Sequence, residues 1–135
     1  MNHYLNILIL EDNQSDVELI LAEVRQAGIS YNEVRVVDCR EDFRQALDEF
    51  PLHLILSDYN LPQFDALSAL EMVEEKYPDV PFIVVTGALD EETAVDTIKA
   101  GAWDYVLKEN MLRLGPAIHN AMALKKKKDE LKAAH

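Results

Sequence analysis

Five polar or charged side chains stand at the ends of apolar runs in this sequence: Glu11, Asp12, Asp58, Thr86 and Lys108. Three carboxylates that are brought together repel one another, and a divalent cation relieves this repulsion. Ligands that are all oxygen favour a hard ion such as Mg²⁺. An ammonium and a hydroxyl beside the metal would bind a tetrahedral anion. The set therefore predicts phosphoryl transfer, in which catalysis consists mainly of positioning and charge neutralisation.

Asp58 is the predicted nucleophile of this set. It ends a central apolar run, and a carboxylate can form an acyl-phosphate intermediate. Glu11 and Asp12 are better placed as metal ligands, together with the backbone carbonyl of Asn60. None of these residues is distinctive alone, because an acid at the end of a strand is usually a solvated terminus or a helix cap. The prediction depends on the whole set occurring at successive strand ends.

The elements that must position these residues are short β-type runs that alternate with helix-length segments of period near 3.6. The β-type runs are Leu5–Leu10, Glu33–Val37, Leu52–Leu56, Pro81–Gly87 and Trp103–Lys108. The helical segments begin at Asn13 or Ser15, just before Phe43, at Ala66, at Glu91 and near Met111 or Leu112. Strands regularly spaced by helices predict an α/β fold with a parallel sheet and helices on both faces. The carboxyl ends of such strands meet at one edge, where the functional crevice lies.

The composition excludes several classes of function. The 135 residues, 49% of them hydrophobic, suit one compact domain. No apolar run approaches the ~20 residues that cross a bilayer, and a single cysteine, Cys39, excludes an internal disulfide framework. We therefore expect a cytoplasmic protein that binds no membrane. The net charge is −12, and residues 1–124 alone carry 8 basic and 23 acidic groups, which disfavours binding to nucleic acid.

Four motifs resemble the receiver domain of two-component response regulators, over about Leu5–His119. They are LILED (8–12), LILSDYNLP (54–62), IVVTGA (83–88) and GAWDYVLK (101–108). The resemblance implies a flavodoxin-like, doubly wound five-stranded parallel sheet of order 2-1-3-4-5. It also implies that Asp58 receives a phosphoryl group from a phosphohistidine, carried by a sensor histidine kinase or a histidine phosphotransfer protein.

The resemblance assigns further roles. Glu11, Asp12 and Asp58, with the Asn60 carbonyl, would hold Mg²⁺. Thr86 and Lys108 would bind the phosphoryl oxygens, and Tyr105 matches an aromatic switch position that swings inward when Thr86 moves. The responding surface would be formed by the fourth helix, the fifth strand and the fifth helix, and it is also the face expected for a homodimer. The domain would catalyse only its own phosphorylation and dephosphorylation.

Three positions depart from the family pattern. Glu109 follows Lys108 where proline is usual, so we expect an ordinary trans peptide or a different loop geometry. Ala66 stands where glycine usually ends the turn after Asp58, so that glycine is not essential here. Ala88 is small and lies where the family tunes dephosphorylation, which predicts open access for water.

Two alternatives stay open at this stage. One is a phosphohydrolase with an Asp nucleophile, although Asn60 occupies the position where such enzymes place a general acid. The other is a pseudo-receiver that binds a partner without phosphorylation, although the acidic set is complete. The four histidines lack metal-ligand spacing and predict no zinc site, and Trp103 is predicted to lie in the core.

The last helix bears on the domain boundaries. Ala117, Leu124 and Leu131 recur at intervals of seven residues, so the helix is expected either to continue as a signalling coil or to end as a polar tail. We expect a receiver domain over residues 1–122 and a helical extension or linker over 123–135. The lysine run that begins the extension is interpreted as a solvated face.

Overall fold

The computed structural model describes residues 4–87 and 90–134 of the chain. The strands are β1 (Leu5–Leu10), β2 (Tyr31–Val37), β3 (Leu54–Ser57), β4 (Phe82–Thr86) and β5 (Asp104–Leu107). The helices are α1 (Gln14–Gln26), α2 (Arg40–Glu49), α3 (Ala66–Lys76), α4 (Glu91–Lys99) and α5 (Leu114–Ala133), and a 3₁₀ helix (Lys108–Arg113) precedes α5.

The five strands form one parallel sheet of order β2-β1-β3-β4-β5, which confirms the predicted fold class. The strands β1, β3 and β4 are buried along their whole length, as expected for central strands that are covered on both faces. The strand β2 mixes half-buried and exposed residues and lies at an edge of the sheet, as the predicted strand order requires. Within the described ranges, no helix combines the length and apolar character needed to cross a bilayer.

Successive side chains of each central strand enter two different cores, because side chains alternate across a sheet. On β1, Ile9 packs in the core beneath α1 and α5, whereas Leu8 and Leu10 pack in the core beneath α2 and α3. On α2, the residues Phe43, Ala46 and Leu47 are buried. The helix α4 has only two buried residues, Ala94 and Thr97, so it is lightly anchored to the sheet.

Two sequence predictions are corrected by the structure. The last helix does not begin at Met111 or Leu112, because residues 108–113 form a 3₁₀ helix in which Asn110 leaves helical geometry (φ −133°, ψ 57°). Trp103 packs against the core beneath α1 and α5 but is half-buried there, not enclosed, and the ammonium of Lys128 lies 4.6 Å from the centre of its ring. One lysine of the run expected to be solvated therefore covers an aromatic side chain.

The departures from the family pattern fit the local geometry. No cis peptide bond occurs in the described part of the chain, so Lys108 and Glu109 are joined in trans. Asp65 caps α3, since its side chain accepts a hydrogen bond from the Ser68 N–H at 2.8 Å. Ala66 begins that helix with helical geometry, which explains why glycine is not needed there. Ala88 lies outside the described residues.

The contact between α1 and α5 leads to a prediction at Gly115. A methyl group added at Gly115 would lie 2.7 Å from Cβ of Ala27, closer than real side chains approach. Alanine has a higher helix propensity than glycine, so the substitution by itself would stabilise α5. We expect the steric clash with Ala27 to cost more than this gain. We expect Gly115→Ala to lower the free energy of unfolding by about 1 to 2 kcal/mol, measured by urea denaturation. Adding Ala27→Gly should recover the loss, and a stabilised single variant would contradict the close packing.

Candidate functional site

Backbone pairing at the carboxyl edge of the sheet places Glu11 beside Asp58. Leu10 of β1 is in register with Ser57 of β3, and each acid follows one of these two residues. The Asp58 N–H donates to the Leu10 carbonyl at 2.9 Å, and the Glu11 N–H donates to the Val37 carbonyl at 3.0 Å. Both acids are therefore held by main-chain bonds to neighbouring strands.

Three carboxylates meet at this edge. Glu11, Asp12 and Asp58 each offer one oxygen, and these oxygens lie within 4.8 Å of one another. Glu11 is buried, Asp58 is half-buried and Asp12 is exposed. A compact set of carboxylate oxygens with one side open to solvent is the donor set that Mg²⁺ prefers. Asn60, the fourth predicted ligand, is exposed on the turn after β3, where it pairs with Asp65.

The ammonium of Lys108 lies inside this acidic group. Its Nζ atom is 2.6 Å from Oε1 of Glu11, 2.7 Å from Oδ2 of Asp16 and 3.2 Å from Oδ2 of Asp58. Lys108 is separated from these acids by 50 to 97 positions in the sequence, so only the sheet brings them together. The predicted convergence of strand ends is thus present for Glu11, Asp58 and Lys108.

Asp16 is a member of the site that the sequence analysis missed. It lies in the first turn of α1 and is not among the residues predicted from the sequence. The sequence did contain a signal for Asp16. Because α1 begins directly after Asp12, its first turn must lie over the carboxyl edge of the sheet. Asn13 fixes this turn, because its side chain accepts a hydrogen bond from the Asp16 N–H at 3.0 Å.

Backbone donors orient the two inner carboxylates. Oε2 of Glu11 accepts hydrogen bonds from the N–H groups of Asp12 and Asn13, at 3.0 and 3.2 Å. Oδ1 of Asp58 accepts a hydrogen bond from the Tyr59 N–H at 2.7 Å. In each case the second oxygen of the carboxylate is turned toward Lys108.

Burial and neighbouring charges shift the pKa values of Glu11 and Lys108. Burial raises the pKa of Glu11, and the charge of Asp58 adds to this, while the hydrogen bond from Lys108 opposes it. Burial alone would lower the pKa of Lys108, but the hydrogen bonds to Asp16 and Glu11 and the charge of Asp58 raise it above its ordinary value. Lys108 therefore stays charged and serves as the counter-ion of the acids.

Thr86 and Tyr105 occupy the neighbouring strands. Thr86 is buried at the end of β4 and is in register with Leu107 of β5. A methyl group added at Gly87 would lie 4.0 Å from Cδ of Lys108, so the end of β4 runs beside the lysine side chain. Tyr105 is half-buried on β5 and packs against the core beneath α2 and α3.

Comparison with known sequences identifies relatives of this chain. The family model for the response regulator receiver domain matches residues 7–118. The NtrX-like response regulator of Rickettsia typhi is 33% identical over 106 residues, which is 77% of this chain and 22% of that protein. The chain thus spans about a fifth of the length of the curated relatives that it matches.

Comparison with solved structures supports the same architecture. NtrX from Brucella abortus superposes with a TM-score of 0.85 at 24% identity, covering 98% of this chain and 30% of that one. A CheY-like receiver domain protein from Methanospirillum hungatei superposes with a TM-score of 0.79 at 24% identity, covering 93% of this chain and 99% of that one. At this level of identity the likeness establishes the fold.

Proposed function

We propose that this chain, which belongs to the response regulator receiver domain family, works as a phosphoacceptor switch in two-component signalling. It is a signalling domain rather than an enzyme that turns over an external substrate. The observation that carries the proposal is the position of Lys108, whose Nζ contacts Glu11 and Asp58 within a group of three acids.

In the proposed reaction, one carboxylate oxygen of Asp58 attacks the phosphorus of a phosphohistidine. A P–O bond forms as the P–N bond breaks, and the leaving imidazole keeps the electron pair and takes a proton from solvent. The product is an acyl phosphate on Asp58. Hydrolysis restores the resting site. The oxygen of a water molecule bonds to the phosphorus as the P–O bond to Asp58 breaks, so inorganic phosphate leaves, the protons of the water pass to the phosphate and to solvent, and the Asp58 carboxylate is regenerated.

Side chains around Asp58 would neutralise the transferred group. Lys108 already lies 3.2 Å from Oδ2 of Asp58, within reach of a new phosphoryl oxygen. Thr86 would donate its hydroxyl from the end of β4. Glu11 and Asp12, with Asp58 and the Asn60 carbonyl, would hold Mg²⁺, which supplies charge neutralisation for the phosphoryl oxygens.

The response is proposed to pass from Thr86 to α4 and β5. A phosphoryl group adds about −1.5 to −2 charges at one point, and Thr86 can bind it only by moving toward Asp58. Tyr105 would follow inward. The sparse anchoring of α4, with two buried residues, suits an element that shifts at small cost. Val95 and Ile98 on α4 are exposed and belong to the surface that would change, which is also the proposed homodimer face.

The partner that follows from this function is a phosphodonor, either a sensor histidine kinase or a histidine phosphotransfer protein. The net charge of −12 argues against direct binding of this domain to nucleic acid. The curated relatives are several times longer, so any output activity of a whole protein remains a proposal for this chain.

The decisive test is phosphorylation of the unsubstituted chain by a small acyl phosphate. Intact mass should rise by one phosphoryl group when Mg²⁺ is present, and peptide mapping should place the group on Asp58. Chelation of Mg²⁺ with EDTA should prevent the gain, because the three acids then repel the incoming anion. Multiple turnover of phosphate esters without a stable protein adduct would instead favour a phosphohydrolase, and no reaction at all would favour a pseudo-receiver.

A further inference from the structure

We infer that Asp16 is a positioning residue that draws the Lys108 ammonium toward α1, so that Lys108 is less available to an incoming phosphoryl group than it would be without Asp16. The inference rests on the proposed function, because it concerns the same site. Asp16 then competes with phosphoryl oxygens for the Lys108 ammonium. It also prevents the ammonium from pairing with Glu11 and Asp58 alone.

The contacts of Lys108 support this division. The bond to Asp16 is 2.7 Å, whereas the distance to Asp58 is 3.2 Å, so the ammonium lies nearer to the α1 carboxylate than to the phosphoacceptor. Oε1 of Glu11 lies 2.6 Å from the same ammonium. Because Glu11 is buried and its other carboxylate oxygen accepts two backbone N–H groups, its side chain is fixed in place. The Asp16 side chain is 26% exposed and reaches in from the helix instead.

Asp16 can hold this position without being part of the metal cluster. The three mutually close carboxylates are Glu11, Asp12 and Asp58, and Asp16 is not among them. Its backbone is fixed by the Asn13 cap, so its carboxylate is presented to Lys108 from a rigid turn. The charge-assisted hydrogen bond to Asp16 therefore draws the Lys108 ammonium away from Asp58.

Removing this carboxylate has two opposite consequences. In Asp16→Asn, Lys108 loses its ion pair on the helix side and shifts toward Glu11 and Asp58. A cation there competes with Mg²⁺ for the same oxygens, so Mg²⁺ binding weakens. The same ammonium is free to meet an anion at Asp58, so a phosphoryl mimic binds more tightly. A residue with a purely structural role would not move the two affinities in opposite directions.

The experiment measures both affinities by isothermal titration calorimetry on the full chain. Mg²⁺ is titrated alone, and fluoroberyllate, a phosphoryl mimic, is titrated at saturating Mg²⁺ for each variant. For Asp16→Asn we expect Mg²⁺ binding to weaken and fluoroberyllate binding to tighten, each by about three- to tenfold. The matched control is Glu18→Gln, which removes the same charge from an exposed position on α1 and should change each affinity less than twofold.

Each result decides the inference. Opposite shifts in Asp16→Asn that are absent in Glu18→Gln support it. Equal shifts in the two variants, or a loss of both affinities in Asp16→Asn, overturn the inference. The proposed function still stands in that case if the unsubstituted chain binds both probes. An unsubstituted chain that binds neither Mg²⁺ nor fluoroberyllate overturns the proposed function and this inference together.

Discussion

With Mg²⁺ and a small acyl phosphate present, the Asp58→Asn variant is expected to gain no phosphoryl group, whereas the unsubstituted chain gains one. The amide of asparagine lacks the negative charge that makes the carboxylate a nucleophile toward phosphorus. The fold should survive, because the amide oxygen can still accept the Tyr59 N–H that Oδ1 of Asp58 accepts at 2.7 Å. Loss of one carboxylate also relieves the repulsion with Glu11.

The measurement is intact mass together with thermal unfolding of the same samples. Asp48→Asn is a matched control, since Asp48 lies on α2 in an exposed ion pair with Lys76 at 3.2 Å, and it should be phosphorylated normally. A mass gain that persists in Asp58→Asn would place the nucleophile on another carboxylate, with Asp12 the first to be tested.

The second large effect is on stability. Lys108→Met should lower the free energy of unfolding by about 3 kcal/mol near neutral pH, because it leaves a buried carboxylate without its counter-ion. The Glu11 side chain is 1% exposed and loses a 2.6 Å ion pair. Urea denaturation measures the change. Lys76→Met, which removes an exposed ion pair, should cost less than about 1 kcal/mol.

The loss in Lys108→Met should depend on pH with a defined sign. Burial already raises the pKa of Glu11 above its ordinary value of 4.5, and removing the lysine raises that pKa further. A carboxyl group whose pKa is higher in the folded chain favours folding fully below its unfolded pKa, and this contribution is lost as pH rises through the folded pKa. The variant should therefore be more destabilised at pH 8 than at pH 5.

A second substitution separates the unpaired Glu11 charge from the loss of the other ion pairs of Lys108. Glu11→Gln combined with Lys108→Met removes the buried charge together with its counter-ion, so it should recover most of the stability and abolish the added pH dependence. A double variant that remains as unstable as Lys108→Met at both pH values would assign the loss to the ion pairs of Lys108 with Asp16 and Asp58.

Several features of this protein could be read from local sequence. Continuous apolar runs indicate that β3 and β4 are central strands, because only a strand covered on both faces has no polar side to expose. The mixed pattern of β2 places it at an edge. Since the carboxyl ends of parallel strands share one edge, the alternation of strands and helices was enough to predict that Glu11, Asp58 and Lys108 converge. The chemical roles of the site residues all remain predictions: Glu11, Asp12, Asp58, Asn60, Thr86, Tyr105 and Lys108.

Other features arose only in the folded chain. Asp16 resembles any polar residue of an amphipathic helix until α1 is docked over the strand ends, where Lys108 meets it across 92 positions of sequence. The pairing of Lys128 with Trp103 and the 3₁₀ turn before α5 likewise depend on how α5 packs against the sheet. Side-chain periodicity reports which face of an element is buried. The partner of a charged side chain depends on the relative placement of elements, which no local pattern contains.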